Sequence, residues 1–451
     1  MRRRIAPLFI IFLLALTACS NNGGDTGSVG GAQPRMGGDS HAISCPTHTN
    51  TTPAVSQNGT ITLNVGGWSS SPEEDAIVQQ NLNNFMRLHP NIKINPWSPI
   101  YTNYPDAMNA LAASNQLPDV FFMPPNLAPE FISKGNLLNL SPYMASDNVQ
   151  NSDYEAPLLA PFQCKSGQVY GLPKDWGTLG IFYNKDLFRK AGLPFPSDSW
   201  TWDDMRSIAK KLTSGGNAPT SVHGISLTAD SSRWLAFLFA DGGSVLNNGG
   251  TRATFNDNVG IDALNYYASF QRVDASSILP SDVGDAWSRD AFGKQRVAMV
   301  MEGPWLIPYL RKYYPNTHYG IAPLPISPTG RRANLIFTNA WSASASTRYP
   351  AAAWELIQYM TGKDVQANVL KQGFALPTLV SLASDPYFDT HLNVKTLFDA
   401  QTYGDLDYYG PQDNFIHDRL NLAIDSVLLG EADARSALNK AAQQINKMLQ
   451  T

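Results

Sequence analysis

The residues best suited to chemistry here are aromatic plates and planar polar groups rather than a reactive constellation. The chain has 10 tryptophans. Trp68 follows the first alternating polar–apolar segment, Trp305 follows a Gly303-Pro304 turn, and Trp341 lies in an extended stretch between Asn339 and Ser342. Tyr101 follows the second such segment. Asp119 opens an apolar run, Asp175 precedes Trp176, and Glu302 precedes the turn before Trp305. Aromatic faces with carboxylate and amide partners stack on C–H surfaces and grip hydroxyl rims, which is the chemistry of sugar recognition. Each tryptophan has a packing role as its alternative. Trp202, inside a helix cap, and Trp354, on a helical stripe, read as structural, and Trp234 and Trp287 are open. No G-x-S-x-G elbow, H-E-x-x-H zinc motif or phosphate-binding G-x-x-x-x-G-K-[ST] loop occurs in the sequence. We expect no catalytic residue, no metal and no cofactor.

The N-terminus reads as an address. Arg2, Arg3 and Arg4 precede an apolar run from Leu8 to Leu16, too short to span a bilayer. Leu16-Thr17-Ala18-Cys19 then resembles a lipobox, which implies cleavage before Cys19 and acylation of its thiol. Residues 20–59, rich in Gly, Ser, Thr, Asn and Gln, read as a flexible tether. Removing three arginines from the leader takes the formal charge from −4 to −7, which argues against nucleic acid or an anionic membrane face as partner. Of the 3 cysteines, Cys45 and Cys164 remain, a pair that could bond in an oxidising compartment or stay as two thiols.

Elements that could position the aromatic residues follow from periodicity. Thr60 to Val65 alternates as a strand. Ser71-Pro72-Glu73-Glu74 is a helix start, with Ser71 as cap and Glu74 closing a capping box. Ile92 to Ile94 is a second strand, Tyr104 to Ser114 a helix, and Asp119 to Met123 a buried strand. That run predicts a parallel sheet with helices on its faces. Further along, Tyr170 to Asn184 is extended and Thr201 caps a helix. Arg296 to Met301 is a strand, Gly293 stops the helix before it, and Trp305 to Tyr313 is a helix. Asn334 to Ala343 is extended, and Leu438, Ala441, Ala442, Ile445 and Leu449 give the last helix an apolar face.

Four segments together resemble the family 1 bacterial extracellular solute-binding proteins, the maltose-binding-protein-like group. They are Gln116 to Phe122 with Gly135 to Leu140, and Tyr170 to Pro173 with Phe182 to Phe188 and Ala191 to Leu193. The third is Ala291 to Met299 with Gly303-Pro304-Trp305, and the fourth is Trp354 to Thr361 ending near Gly373 to Pro377. The resemblance implies an α/β, type II periplasmic-binding-protein-like fold: two lobes of discontinuous chain joined by hinge crossovers near 175–178, 338–343 and 403–409. It puts Trp176 and Trp341 on crossovers and makes Trp305 a cleft-lining residue. The expected division is a leader over 1–18, a tether over 19–59, one lobe from 60–175 and 342–402, and another from 176–341 and 403–451. Met123-Pro124-Pro125 departs from maltose-binding protein, which has an aromatic after this strand, so maltose specificity does not carry over.

The resemblance further implies a monomer outside the cytoplasm, held there by the lipid anchor that the lipobox-like segment implies, that binds a sugar or oligosaccharide between its lobes and delivers it to an ABC permease. The ligand contacts expected are Trp68, Tyr101, Asp119, Asp175, Trp176, Glu302, Trp305, Asn339 and Trp341. A polyamine or a phosphate ester in the same cleft is the alternative, with Lys174 and Arg233 the nearest cations for phosphate. A secreted glycoside hydrolase is the more distant one.

Overall fold

The structure is a computed structural model that describes residues 43–47, 59–69, 71–95, 103–216, 221–410 and 412–450. The leader, Cys19, most of the tether and Tyr101 lie outside the described residues.

Among the described residues the strands are β1 Ile61–Leu63, β2 Val65–Gly66, β3 Ile92–Ile94, β4 Val120–Met123, β5 Gly171–Gly177, β6 Gly180–Asn184, β7 Met299–Glu302, β8 Tyr319–Ala322, β9 Asn334–Ala343 and β10 Gly404–Leu406. The helices that matter below are α1 Pro72–Leu88, α2 Ser231–Ala240, α3 Ser288–Gly293, α4 Leu306–Tyr313 and α5 Asp413–Leu428. At the start of α1, Ser71 accepts from the Glu74 amide and Pro72 takes the first helical position, as the sequence predicts.

The first lobe departs from a wholly parallel sheet. β1 pairs with β3 and β2 with β4 in parallel, but β9 returns from far along the chain and pairs antiparallel with both β4 and β5. The predicted first strand breaks at Asn64, because its two halves serve different partners. Residues 296–298 precede the ladder of β7 rather than joining it, although Val297 bridges His223. Gly293 ends α3 for a packing reason: a Cβ there would meet the Tyr314 ring at 2.2 Å. The positive φ that follows falls on Gln295, at 59°. Helix α5 was not read from the sequence, though Ile416, Leu420, Ala423, Ile424 and Val427 are its buried stripe.

Two lobes arise because β5 and β9 feed different cores at their two ends. Leu172, Ala340, Trp341 and Ala343 join Leu63, Phe85 and Phe121 in one core. Trp176 and Ile336 join Phe182, Leu376 and Leu397 in a second. Leu179 and Leu335 join Trp234, Leu264 and Leu420 in a third. Neighbours Leu335 and Ile336 part company because side chains alternate across a strand. β5 and β9 pair over most of their length, with a bulge at Lys174, and β10 lies parallel to the start of β9. Three chain segments therefore run side by side between the lobes. Cys45 and Cys164 form a disulfide that ties the segment before β1 to the first core.

Candidate functional site

At the carboxyl end of β7, the turn folds an indole back over its own backbone. A Cβ on Gly303 would meet the Trp305 ring at 2.3 Å, so only glycine admits this approach. Gly177 of β5 gives further room, and Phe337 meets the indole edge-on at 5.8 Å. Trp305 Nε1 donates to Glu302 Oε2 at 2.8 Å. Arg233 of α2 donates to the same oxygen through Nη2 at 3.0 Å. Its Nε donates to the Met301 carbonyl at 2.9 Å, and Nη1 donates to Ser232 Oγ and pairs with Asp230 at 3.3 Å. Burial opposes the Arg233 charge, but Asp230 and Glu302 outweigh it and its pKa is raised. The indole is thus anchored at its nitrogen and stays half-buried.

Beside it lies a second polar group that the sequence reading did not name as a site. His417 of α5 shares a hydrogen bond with Ser231 through Nδ1 at 2.8 Å, and its Nε2 lies 3.4 Å from Asp407 and 3.7 Å from Asp413. Burial opposes its protonation, yet the two aspartates push its pKa up to about 9. Burial raises Asp413 to about 6. Asp413 also accepts from the Tyr409 amide at 2.8 Å, which pins the segment after β10. The signal was present as Asp413 and His417 at i, i+4 after an Asp407-Tyr408-Tyr409 run.

The first lobe presents the same residue types differently. Trp68 sits edge-on to Tyr104 at 5.1 Å and to Phe122 at 4.9 Å, and Phe122 meets Trp341 at 4.5 Å. Lys174 lies 4.4 Å above the Phe122 ring, pairs with Glu74 at 3.2 Å and bonds Asp175. Asn339, opposite Asp175 in the ladder, also hydrogen-bonds its carboxylate. Burial pushes the Asp175 carboxyl up despite Lys174. Trp341 is 1% exposed and faces Lys174 and Asp175 across a cavity of about 30 Å³, room for water but not for a sugar ring.

The structure therefore brings Glu302 and Trp305 together, and separately gathers Asp175, Asn339 and Trp341, with Trp68 reaching them through Phe122. Trp176 is buried elsewhere and donates to the Pro377 carbonyl at 2.7 Å. Asp119 stands at the amino end of β4, accepting from the Asn64 amide at 2.8 Å and from Thr347 Oγ1 at 2.6 Å. Contacts near Trp305 link the lobes. Trp305 packs with Ile77 and Phe374, Lys312 pairs with Glu73 at 2.8 Å, and Asn126 donates to Asn414 at 2.7 Å.

A half-buried aromatic plate backed by ionic groups, at the junction of two lobes, is the candidate site. The sequence pattern of the bacterial extracellular solute-binding proteins matches residues 68–367. The chain belongs to that family. Among relatives, this solute-binding protein is 24% identical over 327 residues to a binding protein of Brucella abortus, covering 71% of this chain and 77% of the other. It is 23% identical to the galactooligosaccharide-binding protein of Bacillus subtilis over 72% of this chain and 76% of that one. A solved ABC substrate-binding protein of Listeria monocytogenes, in complex with cycloalternan, shares its fold with a TM-score of 0.78. That pair is 24% identical and covers 86% of this chain and 99% of the other. Membership implies an extracytoplasmic location. Among the described residues no helix is long and apolar enough to cross a membrane.

Proposed function

We propose that this protein binds a sugar or oligosaccharide between its lobes and delivers it to an ABC permease while acyl chains on Cys19 hold it at the membrane. The observation that carries the sugar reading is Trp305. Its N–H is satisfied by Glu302, so the ring face is what remains for a ligand, and aromatic faces select the C–H surfaces of pyranoses. Asp230 and the Asp407 segment would supply hydroxyl partners. The galactooligosaccharide-binding relative supports the same class.

A phosphate ester fits less well. Arg233 is engaged by Asp230, Ser232, Met301 and Glu302, and Lys174 is held between Glu74 and Asp175. Neither cation is left to receive a phosphate.

A thermal-shift screen against a sugar library tests the reading, because a ligand that binds only the folded state raises its stability. We expect at least one oligosaccharide to raise the melting temperature. If none does while a polyamine or phosphate ester does, the sugar reading is wrong. Cys19→Ser should move the protein from the membrane to the soluble fraction; retention would refute the anchor.

A further inference from the structure

Helix α4 begins beside the half-buried Trp305, and its last residues, Arg311 to Tyr313, are exposed. Its buried side chains are Leu306, Ile307, Pro308 and Leu310. The unburied stripe runs from Trp305 through Tyr309 to Lys312 and Tyr313, at i, i+4, i+7 and i+8. A solvent-facing stripe is ordinarily polar, and this one is aromatic. The Tyr309 and Tyr313 rings lie 4.7 Å apart. Tyr313 is 44% exposed, and the Lys312 ammonium sits 4.9 Å over it while pairing with Glu73 of α1.

The stripe continues onto the start of α3. The Arg289 guanidinium lies 4.3 Å over Tyr309 and 5.6 Å from the Trp287 ring. Trp287 is 62% exposed, and Arg289 Nε is a buried donor with no hydrogen-bond partner among the described residues. An exposed tryptophan and an exposed tyrosine joined through a guanidinium that packs on the tyrosine between them, continuous with the proposed cleft through one helix face, have the composition of a carbohydrate platform.

We propose that Trp287, Arg289, Tyr309 and Tyr313 form a second carbohydrate platform, which carries the portion of a long oligosaccharide that emerges past Trp305. This rests on the sugar reading above and goes beyond it by assigning the protein a preference for chain length. Trp287 and Tyr313 would each stack on a sugar face, and the Arg289 guanidinium, packed over Tyr309 and beside Trp287, would hold the rings between them in place.

The test is calorimetric titration of the full-length protein, Trp287→Ala and Tyr313→Ala with galacto-oligosaccharides and maltodextrins of increasing length. Wild-type affinity should rise with length beyond the disaccharide. Each variant should bind the disaccharide as wild type does and lose roughly five- to tenfold for the longest chain. Both rings are exposed, so melting curves should match wild type, and either variant alone carries the test if the other unfolds. Equal affinities at every length in wild type and variants would overturn the platform and leave the sugar reading standing. Unchanged titrations with reduced sugar uptake by cells would make the stripe a docking face for the importer and also overturn it. Failure of wild type to bind any oligosaccharide would remove the sugar reading and the platform with it.

Discussion

The two sides of the cleft hold nearly the same chemical parts and use them in opposite ways. On the β7 side, Trp305, Glu302 and Arg233 form a hydrogen-bonded set with the indole left half-open. On the β5 side, Trp341, Asp175 and Lys174 surround a cavity of about 30 Å³, with Trp341 only 1% exposed. The indole of Trp341 belongs to the first-lobe core, whereas that of Trp305 lies where the lobes meet. An aromatic next to a carboxylate becomes a plate or a core residue according to what backs it. Trp305 is propped over glycine at a strand end, and Trp341 sits mid-ladder between β4 and β5.

The largest effects should come from the β5 side and should be on stability. Trp341→Ala is expected to cost about 3–5 kcal/mol, the range for truncating a buried aromatic. Lys174→Met leaves Glu74 and Asp175 buried without their cation, and breaking such a group costs about 3–5 kcal/mol. Denaturant melts check both. A Trp341→Ala protein that melts like wild type but binds ligand poorly would reverse the comparison and make Trp341 a ligand contact after all. Next in size is Trp305→Ala, which should weaken sugar binding by roughly tenfold, about 1.4 kcal/mol, with a smaller change in melting. Collapse of the fold with normal binding by the remaining native protein would mean both tryptophans are structural.

How far the sequence disclosed this depended on whether a property was local. Caps and strand ends are local, so the Ser71 and Thr201 caps and the Glu302-Gly303-Pro304-Trp305 turn were legible. The difference between Trp305 and Trp341 was not, because it is set by which strands flank β9, and those pairings join residues from distant parts of the chain. Asp119 misled for a related reason. An acid next to a buried strand looks the same at either end, and this one faces Asn64 and Thr347, away from the carboxyl end of β4. For His417 only the Asp413 spacing is local; its partners Ser231 and Asp407 come from other elements, Ser231 from α2.

The smallest effect separates the two sides by pH. Lys174 has its pKa raised above its ordinary value by Asp175 and Glu74, against the pull of burial, so it stays charged across the neutral range. In the wild type the Lys174 charge therefore adds no pH dependence of stability between pH 6.5 and pH 9. His417 behaves otherwise. Its folded pKa of about 9 lies above the unfolded value of about 6.5. The folded state holds the proton more tightly, so His417 contributes stability that is complete below pH 6.5 and is lost as pH rises through about 9. Asp413 acts in the same direction at lower pH. Its pKa of about 6 exceeds the ordinary 3.8, so its ionisation weakens the fold between those values. Asp230, Asp407 and Asp413 are the acids that face the imidazole. Wild-type melting temperature should fall between pH 6.5 and pH 9, and His417→Asn should flatten that slope while leaving the variant less stable at pH 6.5. Parallel melting curves for wild type and His417→Asn across this window would show that the imidazole is not held charged by the aspartates. The β7 side would then be as insensitive to pH as the Lys174 cluster.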